Sequence, residues 1–182
     1  MDFDDDETVG PISDEIKVLA QGPNHIARRF KAFAMDNGYK FRTEQYEREM
    51  NTQNSRVMVL AKTESYARKQ DTRPKLGDVN YYGRLTDIIE LNYYGRFKVV
   101  LFRCDSIDVT QGRGIRKDSL GFTIINFSRL THTGDHLNDE PFVFPSQAEQ
   151  VIFVQDPKDR EWFIPRQIIP RDAFDWSMES GP

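Results

Sequence analysis

Tyr81-Tyr82-Gly83-Arg84-Leu85-Thr86-Asp87-Ile88-Ile89-Glu90-Leu91, answered after Asn92 to Arg96 by Phe97-Lys98-Val99-Val100-Leu101-Phe102, is the densest apolar text in the chain. Both runs are rich in β-branched and aromatic residues, which fit a pleated, half-buried surface. A short connection containing Gly95 separates them, so the pair reads as a β-hairpin.

Downstream, Gly121-Phe122-Thr123-Ile124-Ile125-Asn126-Phe127 and Gln150-Val151-Ile152-Phe153-Val154-Gln155 have the same character. Asp156-Pro157 ends the second run, and Trp162-Phe163-Ile164-Pro165 supplies a short partner. Pro165 and Pro170 argue against a central strand in the remainder. Gln111 to Gly114 and Thr131 to Glu140 are polar loops.

Upstream, Ser55 to Lys62 reads as a strand, whereas residues Thr63 to Asp78 hold little apolar content and are expected to form a long exposed loop. Glu44 to Asn54 is a polar loop or short helical turn. Ile26, Phe30, Phe33 and Ala34 fall at helical spacing, yet Phe30, Ala32 and Ala34 also alternate, and Asn37-Gly38 leads into the alternating Tyr39 to Thr43. Asn-Gly between two such runs predicts a two-residue hairpin turn with positive φ at both positions. Nearer the N-terminus, Ser13 can cap a short helix through Ala20, with acids in its first turn and Gly22-Pro23 as the stop.

Six to eight short strands with irregular loops make a mainly β fold, a small barrel or sandwich. The strand, turn and strand from Tyr82 to Phe102 are analogous at fold level to small SH3-like (bromo-adjacent-homology-like) barrels, with Gly83 and Gly95 at the sharp bends. The organisation expected is an acidic disordered tail over residues 1–12, one β-rich domain over 13–176, and a disordered tail over 177–182.

Charge is partitioned along the chain. Residues 1–24 carry a net of −6, residues 25–131 a net of +8, and residues 132–182 a net of −6, which together give the −4 of the whole. A basic centre between acidic flanks either meets a polyanion or is neutralised within its own globule. Cys104 is the single cysteine, which excludes an internal disulfide and a four-cysteine zinc site. It lies in an apolar run, where a thiol behaves as a small hydrophobe. No stretch approaches the ~20 apolar residues of a membrane helix. The acidic start Met1-Asp2-Phe3-Asp4-Asp5-Asp6-Glu7 is unlike a secretory signal, so an intracellular location is expected.

From about Leu19 onward the chain resembles a plant domain of unknown function (domain of unknown function 4216) found in CACTA (En/Spm-type) transposon proteins beside the transposase. The resemblance rests on Ala20-Gln21-Gly22-Pro23, Asn37-Gly38-Tyr39-Lys40-Phe41-Arg42-Thr43, Thr52-Gln53-Asn54-Ser55, Tyr81-Tyr82-Gly83 and Ile88-Ile89-Glu90-Leu91. It continues through Phe102-Arg103-Cys104-Asp105, Gly121-Phe122-Thr123, Asn126-Phe127, Ser146-Gln147-Ala148, Val151 to Pro157, and Pro170-Arg171-Asp172. The order and spacing agree over nearly nine tenths of the chain. Ser106 departs from the family's usual aromatic, and Phe144-Pro145 from its smaller aliphatics. The resemblance implies a transposon-derived, nuclear context and carries no catalytic residues with it.

Nucleic-acid contact is expected from Arg28, Arg29, Lys31, Lys40 and Arg42 around the first hairpin, joined by Arg113, Arg116 and Lys117. Lysine and arginine near phosphates give affinity without sequence readout. Gly112-Arg113-Gly114 adds a phosphate-gripping loop or an ordinary solvated turn; it lacks the Lys-Ser/Thr pair of a Walker loop. Tyr81, Tyr82, Tyr93, Tyr94 and Trp162 are candidates for an aromatic cage around a cation, or for ordinary cross-strand packing. A nuclease would need Asp87, Glu90, Asp105 and Asp108 to gather two metal ions, but residues three apart on a strand face opposite ways. His25, His132 and His136 are the three histidines; His132 and His136, four apart in a loop, have no helix to align them, and only Cys104 or Asp139 could complete a metal site with them. No metal, cofactor or catalytic residue is therefore expected. The reading that leads is an accessory module engaging DNA, chromatin or a transposase partner; a protein–protein scaffold is the alternative and a nuclease the third.

Overall fold

In the computed structural model, residues 13–65, 75–137 and 139–170 are described. Both expected tails lie outside these residues. Helix α1 (Asp14–Gln21) has the caps its sequence asks for: the Ser13 hydroxyl accepts from the Ile16 N–H, and Gly22 ends it at φ 80°. Three short strands follow, β1 (Arg28–Phe30), β2 (Ala32–Ala34) and β3 (Lys40–Arg42), then the one-turn helix α2 (Glu44–Glu47). The long strands β4 (Arg56–Ser65), β5 (Lys75–Tyr93) and β6 (Phe97–Ile107) form the body. Beyond them come β7 (Ile115–Lys117), β8 (Thr123–Asn126), β9 (Leu130–Thr131), β10 (Phe142–Val143), a 3₁₀ turn (Pro145–Gln147), β11 (Ala148–Gln155) and β12 (Trp162–Gln167).

All neighbouring strands in these sheets are antiparallel. The main sheet runs β10-β6-β5-β4-β11-β12-β8-β7, with β1 added to β5 and β9 to β6; β2 and β3 form a separate ribbon. The sheet curls until Gly114, just before β7, abuts the backbone of Asp108, just past β6. The result is a half-barrel, mainly β, with a short helix.

A β-bulge in β5 governs its shape. Leu85 pairs with Cys104 and Asp87 with Arg103, so Thr86 is the extra residue. Its hydroxyl donates to the Arg103 carbonyl at 3.1 Å. On the edge away from β6, β5 pairs with β4 as far as Arg84 and with β1 from Ile88 onward. The bulge also resets the alternation of faces, so that Leu85 and Ile88, three apart, are both fully buried in one cluster with Phe41, Val57, Phe102 and Cys104. Phe33 and Met35 from the ribbon pack against that cluster. Tyr82 faces the opposite way and joins Ile107, Ile125, Val151 and Phe153 in a second cluster. Full burial of side chains such as Phe41 and Phe102 stabilises by roughly 1.5–3 kcal/mol each.

Several expectations are corrected. The Asn37-Gly38 hairpin exists, but its loop is Asp36-Asn37-Gly38, with positive φ at Gly38 (87°) and not at Asn37. The Asn37 side chain instead accepts from the Tyr39 N–H at 3.3 Å, the arrangement of a type I turn closed by one left-handed glycine. A bend at Lys31 splits the first strand, so Phe33 rather than Ala32 and Ala34 points inward. Thr63 to Ser65 and Lys75 to Asp78 belong to the β4–β5 ladder, because backbone pairing needs no apolar side chains; residues 66–74 lie outside the described residues. Pro165 sits within β12, a strand between β11 and β8. It is tolerated because β8 pairs with Trp162 and Phe163 and stops before reaching it. Gly95 is a turn residue at φ 75°, and the irregularity in β5 lies at Thr86, between Leu85 and Asp87, three residues beyond Gly83.

Candidate functional site

The eight candidate cations fall into two groups. Arg28 and Arg29 lie on β1, opposite Glu90 and Ile89 of β5, Lys31 at the bend that follows, and Lys40 and Arg42 on β3 of the separate ribbon, where the Lys40 carbonyl accepts from the Asn54 and Gln150 side chains. Arg113, Arg116 and Lys117 lie on or before β7, beyond the far end of the β5–β6 ladder. Arg29 pairs with Asp87 at 3.2 Å, Arg113 with Asp108 at 3.6 Å and Arg116 with Asp159 at 3.0 Å. Among the described residues no ion pair forms on Arg28, Lys31, Lys40, Arg42 or Lys117. Arg28 and Lys31 lie over the rings of Phe30 and Tyr46, Arg42 donates to Thr52 Oγ1 and Lys117 to Thr123 Oγ1, contacts that leave the charge uncompensated.

The proposed cage residues are distributed over the fold. Tyr81 and Tyr82 are consecutive on a strand and face opposite sides. Tyr94 occupies the β5–β6 turn at φ 53°, beside the stacked pair Tyr93 and Phe97. Trp162 is buried with the Arg116 guanidinium 3.9 Å above its ring. Tyr81 and Tyr82 in the β4–β5 ladder, Tyr93 and Tyr94 at the β5–β6 turn and Trp162 on β12 thus belong to different parts of the fold.

The carboxylates named for metal chemistry serve locally. Asp87 and Asp108 hold the arginines above, and Glu90 holds Lys98 at 3.1 Å. Burial raises the Asp105 carboxyl above its ordinary range, against the opposing pull of Arg103 and Arg84. One Asp139 oxygen accepts from the backbone N–H groups of Gly134, Asp135 and His136. His25 and His136 are exposed. Burial, with Asp105 adding to it, pushes the Cys104 thiol up to about 12, so it is chemically quiet. Among the described residues no three His, Cys, Asp or Glu side chains gather to hold a metal, and no helix is long and apolar enough to cross a membrane.

Sequence reasoning missed two features. One is a polar lock where α2 meets the sheet. Glu47, 6 % exposed, accepts from the N–H groups of Asn54 and Ser55 and from the Ser55 hydroxyl. Nearby, Glu44 bridges Arg56 and Arg84 at 3.4 Å each, and Arg84 stacks 3.9 Å over Phe127. Burial lowers the Arg84 guanidinium's proton affinity, with Glu44 opposing.

The other is a cavity of about 440 Å³ on the sheet face opposite Tyr82's ring. Its floor is Val57, Val59 and Ala61 of β4, Gly83 of β5, and Cys104 and Ser106 of β6. Gly83 opens it, since a Cβ there would stand 2.9 Å from the Asp105 carbonyl oxygen. The wall is His132, Glu140, Phe142 and Val143, carried to β6 by β9 on one side and β10 on the other. His132 lines the cavity at φ 53°, a conformation a side chain other than glycine rarely adopts. Its Nδ1 accepts from the Glu140 N–H at 3.2 Å, which places the neutral ring's proton on Nε2. That tautomer is the reverse of what a general base acting on Ser106 needs. The one signal available in sequence was His132 itself, since the wall and floor meet only through strand pairing.

The fold and these sites define a mainly β half-barrel with unpaired cations on β1 and the ribbon and a walled cavity. Residues 89–165, from the end of β5 to Pro165 of β12, match a protein-family model described as Domain of unknown function (DUF4216). No curated protein and no solved structure matches the chain.

Proposed function

We propose that this chain is a non-catalytic accessory module of a transposon-derived plant protein that grips DNA in the nucleus through β1 and the β2–β3 ribbon. The curled sheet is read as a member of the SH3-like (bromo-adjacent-homology-like) class of small barrels, and the transposon context rests on the sequence resemblance. One observation carries the DNA reading: Arg28, Lys31, Lys40 and Arg42, on β1, the bend and a β3 whose following residue Thr43 donates its N–H to the Lys31 carbonyl, have no ion pair among the described residues. Charge of that kind is free to replace the counterions of a phosphate backbone. The second group supports it less, because Arg113 and Arg116 already face Asp108 and Asp159.

Four phosphate contacts correspond to a slope of about −3.6 in log affinity against log salt, roughly a hundredfold loss between 50 and 200 mM. Retention of the full chain on duplex DNA, measured across that range, should show this slope. Replacing Arg28, Lys31, Lys40 and Arg42 with Ala should abolish retention, whereas Arg113→Ala with Lys117→Ala should largely spare it. A folded chain indifferent to DNA at low salt overturns the reading in favour of a protein–protein scaffold. Nicking that requires a divalent metal and vanishes in Asp105→Ala would overturn the non-catalytic part.

A further inference from the structure

We infer that the cavity beside His132 is a binding site for an alkylammonium group on an apolar stem, such as a lysine side chain, a methylated lysine or a free quaternary amine. This inference is independent of the proposed DNA contact, which is read from β1 and the β2–β3 ribbon. Among the residues lining the cavity one carries a formal charge, Glu140. Its carboxylate forms no ion pair among the described residues, so an incoming cation would find it uncompensated. Tyr81 and Phe142 line the same space, and aromatic faces attract cations through their quadrupoles. Val57, Val59 and Ala61 supply the apolar surface along which a hydrocarbon stem would lie. The His132 Nε2–H and the Ser106 hydroxyl add donors suited to a carbonyl near the stem.

Charge around the site agrees with a cationic ligand. The wall segment also carries Asp135 and Asp139, against the one guanidinium of Arg103 that donates to the Thr133 carbonyl. An anion would meet a carboxylate with no cationic side chain in the lining, and a wholly apolar ligand would leave Glu140 unused. The volume is within the ~300–1,000 Å³ of small-molecule pockets. His132's left-handed backbone is the sort of local strain that surrounding structure maintains at ligand sites.

The test uses the full chain labelled with nitrogen-15 and titrated with five probes. These are the acetylated amides of lysine, trimethyllysine and norleucine, and choline with its neutral isostere 3,3-dimethylbutan-1-ol as a paired control. Amide shifts at Val59, Tyr81, Ser106, His132 and Glu140 report occupancy. The cationic probes should shift them, with affinity about tenfold above their neutral counterparts. Glu140→Gln should erase that tenfold preference, and Ala61→Phe should remove the shifts by filling the floor. Should Ala61→Phe fail to fold, Glu140→Gln alone decides, since Glu140 is exposed and its side chain supports no core. A stronger response to either lysine amide than to choline assigns the source as a polypeptide; the reverse assigns a free amine. Equal affinity for charged and neutral probes overturns the inference, as does silence at these amides with 20 mM of each probe, taken as about a hundredfold weaker than a useful fragment contact.

Discussion

Replacing Glu47 with Ala removes the acceptor that ties α2 to the start of β4. Its carboxylate holds the backbone N–H groups of Asn54 and Ser55 and the Ser55 hydroxyl. Ser55 has no exposed surface, so water cannot replace the lost acceptor at its N–H, and an orphaned buried donor costs about 1–3 kcal/mol. Asn54 is half-buried and recovers part of its loss from solvent. The hydrogen bonds lost are charge-assisted, roughly twice the strength of neutral ones. The expected cost is therefore about 3 kcal/mol, a large part of a typical 5–15 kcal/mol stability. Urea denaturation followed by tryptophan fluorescence measures it, and the melting temperature should fall by about 6–12 °C on the ~2–4 °C per kcal/mol of chains this size. Glu47→Gln keeps one carbonyl oxygen for both N–H groups and should cost about 1 kcal/mol. A loss below 1 kcal/mol for Glu47→Ala, or equal losses for the two variants, would refute the assignment of Glu47 as a backbone acceptor.

Three further outcomes follow from local geometry. Tyr94→Asn should stabilise by about 1 kcal/mol, because Tyr94 sits at φ 53° in the β5–β6 turn and asparagine tolerates that region better; a thermal melt of the variant checks the sign. Gly83→Ala should destabilise by about 2 kcal/mol, since its Cβ would meet the Asp105 carbonyl oxygen at 2.9 Å and two paired strands must give way; urea midpoints compare it with wild type. Burial holds the Asp105 carboxyl's folded pKa above its unfolded one, so the ionised form opposes folding at neutral pH and the deficit disappears on acidification below the unfolded value of about 4. Asp105→Asn should accordingly melt higher than wild type at pH 7, with the two converging near pH 4; a variant that melts lower at pH 7 would show that the attraction to Arg84 and Arg103 outweighs the burial.

What the sequence disclosed was local. Ser13, the two first-turn acids and Gly22 specify α1 within ten residues, and the β5–β6 hairpin follows from two apolar runs around one glycine. What it concealed depended on partners distant in the chain. The bulge at Thr86 is invisible to a period-2 reading, because Leu85 and Ile88 share a core only once Cys104 and Arg103 fix the register. Pro165 seemed to forbid a central strand, yet the offset of β8 leaves its missing N–H harmless. Glu47 read as polar loop, since nothing in its neighbours announces that Ser55 will be fully buried against it. The cavity was hidden for the same reason: its floor is one face of three strands and its wall arrives from residue 130 onward.

The charge partition along the chain reappears in space, though not as simple neutralisation by the acidic ends. Of the three candidate DNA-contacting arginines with acid partners, Arg29 and Arg113 meet Asp87 and Asp108 of the basic middle, and Arg116 alone reaches into the acidic third for Asp159. Arg28, Lys31, Lys40 and Arg42, on β1, the bend and β3, stand without an acid partner among the described residues, while Glu140 stands without a cation on the cavity wall. Two surfaces of opposite sign on one half-barrel cannot serve the same ligand. A polyanion held at the β1 edge would be repelled from the Glu140 wall, and a cation seated there would have no reason to release it. Choline at concentrations that saturate the cavity should thus leave DNA retention unchanged once ionic strength is matched, whereas competition between them would place both ligands on one surface and contradict the separation described here.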